Sequence, residues 1–115
     1  MKREYYREIL NYISEFEAVC YDETTQSYKK QGPKVRKMKI KALDDCRDVL
    51  KKHFAKEMFK DTKMTKYEFE SLDGSLRNLC AKRKDKHYKG EVNTIRHLIT
   101  CHYSEEAKKT VYMEP

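Results

Sequence analysis

"KVRKMKIKALDDCRDVLKKHF", residues 34 to 54, repeats its apolar side chains at steps of three and four residues, the spacing of one face of an α-helix. Gly32 is a candidate N-cap, and Pro33 suits the first helical position because that position needs no N–H donor. The predicted apolar face consists of Val35, Met38, Ala42, Leu43, Cys46, Val49, Leu50, His53 and Phe54. Glu57 falls on the same face, so the helix is predicted to end or turn between residues 55 and 61.

Three further amphipathic helices are predicted. Residues 2 to 21 form the first, and a capping box, Thr65-x-x-Glu68, begins the third, whose apolar face runs to Cys80. The fourth covers about residues 91 to 104, with Val92, Ile95, Leu98, Ile99 and His102 facing inward. We therefore predict an all-α fold, a small single-domain bundle of four helices, or of five if Asp73-Gly74 splits the third.

A chain of 115 residues is expected to form one domain with a single modest core. We assign residues 1–104 to one helical domain and predict a flexible or extended tail over residues 105–115, EEAKKTVYMEP. The opening MKREYYREIL lacks the apolar run of a signal peptide, and no stretch reaches the length of a membrane span. Because four widely spaced cysteines suit a reducing compartment, we expect a cytoplasmic protein that does not bind membranes.

The net charge of +7 is concentrated in the middle of the chain. Residues 1 to 28 hold three basic and six acidic residues, whereas residues 29 to 66 hold fourteen basic and five acidic ones. Such a segment favours a partner that carries phosphates or other acidic groups. The alternative is a solvated surface that balances the acidic first helix, within the chain or across a homodimer.

Two basic stretches, 29 to 41 and 82 to 89, are the candidate binding surface. Lysines can neutralise phosphates, and interleaved tyrosines such as Tyr28 and Tyr88 could stack on unpaired bases. Nineteen lysines against seven arginines favour contacts to the nucleic-acid backbone over reading of base edges. The candidate residues are Lys29, Lys30, Lys34, Arg36, Lys37, Lys39, Lys41, Lys82, Arg83, Lys84, Lys86, Tyr88 and Lys89.

One set of cysteines and histidines has the spacing of a zinc site. His97 and Cys101 lie one helical turn apart, and Cys80 and His87 could supply two more ligands, giving Cys-x6-His-x9-His-x3-Cys. This spacing resembles the CHHC zinc fingers of a minor-spliceosome protein and of gametocyte-specific factors, a resemblance that implies RNA binding. The likeness covers residues 80 to 101, and those fingers have five residues where this chain has six between the first Cys and His. Without such a site we expect no cofactor, a free thiol at Cys101 and Cys80 in the core.

The chain contains no phosphate-binding glycine loop, HExxH, GxSxG or EF-hand motif, so we expect a protein that is not an enzyme. The first functional hypothesis is a basic protein that binds nucleic acid or a nucleoprotein complex. The second is a small regulator or inhibitor, of the type that phages and mobile elements encode, which docks its basic face on an acidic or nucleic-acid-binding host protein.

Overall fold

Helices make up almost all of the part of the chain that the structure, a computed structural model, describes: residues 1–22, 32–56 and 61–113. These are α1 (Arg3–Tyr21), α2 (Pro33–Lys56), α3 (Lys66–Lys82) and α4 (Lys86–Met113). The described residues contain no strand, which confirms the prediction of an all-α fold. Over these same residues, no helix combines the length and the apolar character needed to cross a membrane.

Helix α2 is the centre of the fold, because it packs against α1, α3 and α4. Its predicted face is buried at Ala42, Leu43, Cys46 and Leu50, none of which is accessible to solvent. The other helices complete the core with Tyr5, Ile9, Ile13, Leu72, Leu76, Tyr88, Val92, Ile95 and Ile99. The stripe of apolar residues in α2 thus becomes the interface between all four helices.

Local signals in the sequence set the start of two helices. Helix α2 begins at Pro33, and the backbone N–H groups of Val35 and Arg36 donate to the carbonyl of Gly32 at 3.1 and 3.3 Å. The structure describes α2 as far as Lys56, and most of the interval in which we predicted its end lies outside the described residues. The hydroxyl of Thr65 caps α3 by accepting from the N–H of Glu68 at 3.0 Å.

Helix α3 is continuous through Asp73-Gly74, so the sequence break does not produce a fifth helix there. The side chain of Asp73 accepts two hydrogen bonds from Arg96 of α4, at 2.8 and 3.2 Å. Leu72 and Leu76, on either side of the dipeptide, are fully buried. Contacts with neighbouring helices therefore outweigh the weak helical preference of glycine.

Helix α4 is longer at both ends than the predicted 91 to 104. At its start, Asp85 acts as a cap: its carboxylate accepts from the backbone N–H groups of His87 and Tyr88 at 2.9 and 3.0 Å. At the other end, where we predicted a flexible or extended tail over residues 105–115, the structure continues the helix to Met113. One contact that holds this region is the Tyr103 ring, stacked on Phe69 with centroids 4.5 Å apart.

The two predicted core histidines have polar partners. His53 is buried, and its Nε2 lies 3.2 Å from Oε1 of Glu68, which also contacts the amino group of Met1. His102 is half-buried, with its ring stacked at 3.4 Å on Tyr5. Its Nε2 lies 2.9 Å from a carboxylate oxygen of Glu106. Both residues therefore have structural partners inside the bundle.

Candidate nucleic-acid interface

The two basic stretches, separated by 40 residues of the chain, meet in one groove between the first half of α2 and the junction of α3 with α4. One end of the groove, with a volume of about 480 Å³, is lined by Lys34, Val35, Lys37, Met38, Asp85 and His87. The adjoining end is lined by Lys37, Met38, Ile40, Lys41, Asp44 and Arg83. Lys37 and Met38 belong to both ends, so we treat these residues as one site, the basic groove.

In the basic groove the acidic side chains have hydrogen-bonding or ion-pair partners, whereas two of the lysines have no ion-pair partner among the described residues. Lys34 and Lys37 are exposed, and neither forms an ion pair with any residue that the structure describes. Both acidic residues of the groove have other partners: Asp44 pairs with Arg47 at 2.9 Å, and Asp85 caps α4. The unsatisfied charge in the groove is therefore positive.

Tyr88 is not available to stack on a base, so that part of the prediction is wrong. Its side chain is 1% exposed, and its hydroxyl donates to Oδ2 of Asp45 at 2.6 Å. The reason is the early start of α4: with the helix beginning at Lys86, Tyr88 shares a face with Val92 and Ile95 and is buried with them. Burial also raises the pKa of the Tyr88 phenol, and the bond to Asp45 adds to this effect.

Asp45 helps to position two basic side chains that line the groove, Lys41 and Arg83. Its carboxylate accepts from Lys41 at 2.9 Å as well as from Tyr88, and the guanidinium of Arg83 lies 5.1 Å from the centre of the Tyr88 ring. Burial would by itself raise the pKa of Asp45, but the hydrogen bonds from Tyr88 and Lys41 outweigh it and lower that pKa. The ionised carboxylate thus orients Lys41 directly and Arg83 through the tyrosine ring.

The remaining predicted residues divide into three groups. Lys82, Lys84 and Lys86 are exposed around the junction of α3 and α4. Lys39 pairs with Glu91 at 3.7 Å and does not line the groove, and Arg36 and Lys89 are half-buried. Lys29 and Lys30 lie outside the described residues, as does Tyr28. Of the predicted residues, Lys34, Lys37, Lys41 and Arg83 line the groove, and so does His87, which we predicted only as a metal ligand.

The four predicted zinc ligands are not brought together. His97 and Cys101 do meet, with Nε2 and Sγ 3.5 Å apart, but Cys80 instead faces Asn93, with its Sγ 3.9 Å from Oδ1. His87 and His97 lie ten residues apart on one continuous helix, an axial distance of about 15 Å. Across residues 1–22, 32–56 and 61–113, no three His, Cys, Asp or Glu side chains are grouped so that they could hold a metal ion. The predicted tetrad is thus reduced to a pair.

No family model, curated protein or solved structure matches the chain.

Proposed function

We propose that the protein binds nucleic acid without catalysis, through contacts between the basic groove and the sugar-phosphate backbone. The observation that supports this most directly is the convergence of two basic stretches, distant in the chain, on one groove. There Lys34 and Lys37 have no acidic partner among the residues that the structure describes. Lysine is a compact point charge, suited to phosphate neutralisation and poorly suited to bidentate reading of a base edge. We therefore expect binding that depends little on sequence.

The composition of the groove lining also suits a nucleic-acid strand. Lys34, Lys37 and Lys41 of α2 line the basic groove together with Arg83, which follows α3. Val35, Met38 and Ile40 add apolar surface to the same lining. A strand in such a groove can place phosphates against the cations and sugars against the apolar side chains. Release of condensed counterions would supply the main driving force.

Charge reversal tests this proposal. A triple variant, Lys34→Glu, Lys37→Glu and Arg83→Glu, should weaken binding of a labelled oligonucleotide at least about tenfold, and equally for unrelated sequences. Fluorescence anisotropy measures the affinity, and circular dichroism verifies that the variant folds.

The matched control is Lys51→Glu with Lys52→Glu. Both lysines are exposed on α2, roughly 20 Å along the helix from Lys37. This variant should retain most of the affinity. Equal losses in the two variants would contradict a groove-specific site, and absence of binding by the wild-type protein at low salt would refute the proposal.

The apolar side chains in the groove lining favour one second candidate, a protein partner whose acidic side chains surround an apolar anchor. Met38, which belongs to both ends of the groove, is the side chain that such an anchor would contact. Capture of partners from cell lysate with and without nuclease distinguishes the two classes. A partner retained after nuclease treatment, and lost with Met38→Glu, would favour the protein-directed function.

A further inference from the structure

His87 is the one histidine that lines the basic groove, among the residues that the structure describes. It lies in the first turn of α4, where its backbone N–H donates to Asp85. Its side chain is half-buried and shares the end of the groove with Lys34 and Lys37 of α2. One turn further along α4, Glu91 is occupied by Lys39. The charged side chains that line this end of the groove with His87 are thus Lys34 and Lys37, which have no ion-pair partner among the described residues, and the capping carboxylate of Asp85.

Building on the proposed function, we infer that His87 makes nucleic-acid binding depend on pH, with tighter binding under mildly acidic conditions. Histidine is the side chain that ordinarily gains its charge between about pH 8 and pH 5. In the protonated form it adds a cation beside Lys34 and Lys37, at the end of the groove that all three residues line. A phosphate seated there interacts favourably with imidazolium and not with neutral imidazole.

Binding should therefore take up a proton. Because the coupling between two ligands is reciprocal, a bound phosphate that favours protonation of His87 requires that protonation favour the phosphate by the same factor. The charged side chains near the imidazole are present in both the free and the bound protein, so the bound phosphate alone couples protonation to binding.

The test compares affinities at about pH 5.5 and about pH 8, the range in which histidine changes charge. A fluorescent oligothymidylate is the probe, because thymine does not gain or lose a proton over this interval. The wild-type protein should bind roughly three- to tenfold more tightly at the lower pH. The slope of log affinity against log salt should steepen there by about 0.7, the value for one further phosphate contact to a single strand.

His87→Gln should remove both effects and retain the affinity measured at the higher pH. The matched control is His97→Gln, which alters an exposed histidine of the same helix outside the groove and should keep the full pH response. Circular dichroism at both pH values establishes that all three proteins are folded.

Two results separate this inference from the proposed function. Wild-type binding that does not change with pH, or a pH response that persists in His87→Gln, would overturn the role of His87 and leave groove binding intact. A wild-type protein that binds no oligonucleotide at either pH would overturn both.

Discussion

Removal of the Tyr88 hydroxyl measures how much one buried hydrogen bond contributes to the packing of α4 on α2. Tyr88→Phe removes the 2.6 Å hydrogen bond to Asp45 while the ring continues to fill the same buried space. A hydrogen bond to a charged group contributes about 1.5 to 3 kcal/mol. Because Asp45 keeps its contact with Lys41 and its side chain is 18% exposed, we expect a loss near the lower end, about 1.5 kcal/mol. Urea unfolding followed by far-ultraviolet circular dichroism measures it.

The matched control is Tyr67→Phe, which removes the same atom from a side chain that is 78% exposed. It should change the free energy of unfolding by less than about 0.5 kcal/mol. If the two variants are equally stable, Tyr88 is not buried against Asp45, and the account of why it cannot stack on a base is refuted.

The difference between wild type and Tyr88→Phe should also depend on pH. The hydrogen bonds from Tyr88 and Lys41, which outweigh the opposing effect of burial, lower the pKa of Asp45 in the folded protein. A carboxyl group of this kind stabilises the fold above its unfolded pKa of about 4, and this stabilisation is lost as the pH falls through the folded value. The cost of the substitution should therefore be largest near neutral pH and shrink in acid.

Three further predictions concern the bundle and its thiols. Gly74→Ala should stabilise the protein by up to about 1 kcal/mol in urea unfolding, because a Cβ there meets no atom within 4 Å; a loss of stability would contradict a continuous α3. Glu68→Ala should lower the free energy of unfolding by about 3 kcal/mol, because both His53 and the amino group of Met1 lose a buried partner. The control is Glu70→Ala, at an exposed position of the same helix; an equally small loss in both variants would contradict the prediction. Among the four cysteines, Cys101 should react first with a disulfide reagent, because its thiol is exposed beside an imidazole. Cys46 should react last, because burial raises the pKa of its thiol to about 12. Any other order of reaction for these two residues would contradict the prediction.

Short-range patterns were sufficient to predict most of the fold. Each depends on residues within one or two turns of each other: the stripe on α2, the proline that begins it and the Thr65 cap. The errors came where the deciding contact is distant in the chain. Asp73-Gly74 was interpreted as a possible helix break, because the hydrogen bond between Asp73 and Arg96 of α4 cannot be inferred from the local sequence. KRKDKHYKG reads as a linker, although Asp85 in its middle could have been recognised as a helix cap.

The residue types of the candidate site could be predicted from the sequence, but their arrangement in space could not. Charge counting identified both basic stretches, but only the packing of α4 on α2 brings Lys37 and Arg83 to one groove. The same packing removes Tyr88 from the surface, and the continuous helix α4 keeps His87 and His97 apart. A spacing motif carries no information about whether its segment is a loop or a straight helix, so the Cys and His spacing alone could not predict this separation.

The salt dependence of oligonucleotide binding tests whether the basic groove binds phosphates. Contacts from Lys34, Lys37 and Arg83 to three phosphates of a single strand predict a slope of log affinity against log salt of about −2. The charge-reversed groove variant should lose most of that slope, whereas the Lys51 and Lys52 variant should keep it. A wild-type affinity that does not change with salt, or equal slopes in all three proteins, would contradict the assignment of the groove as the binding site.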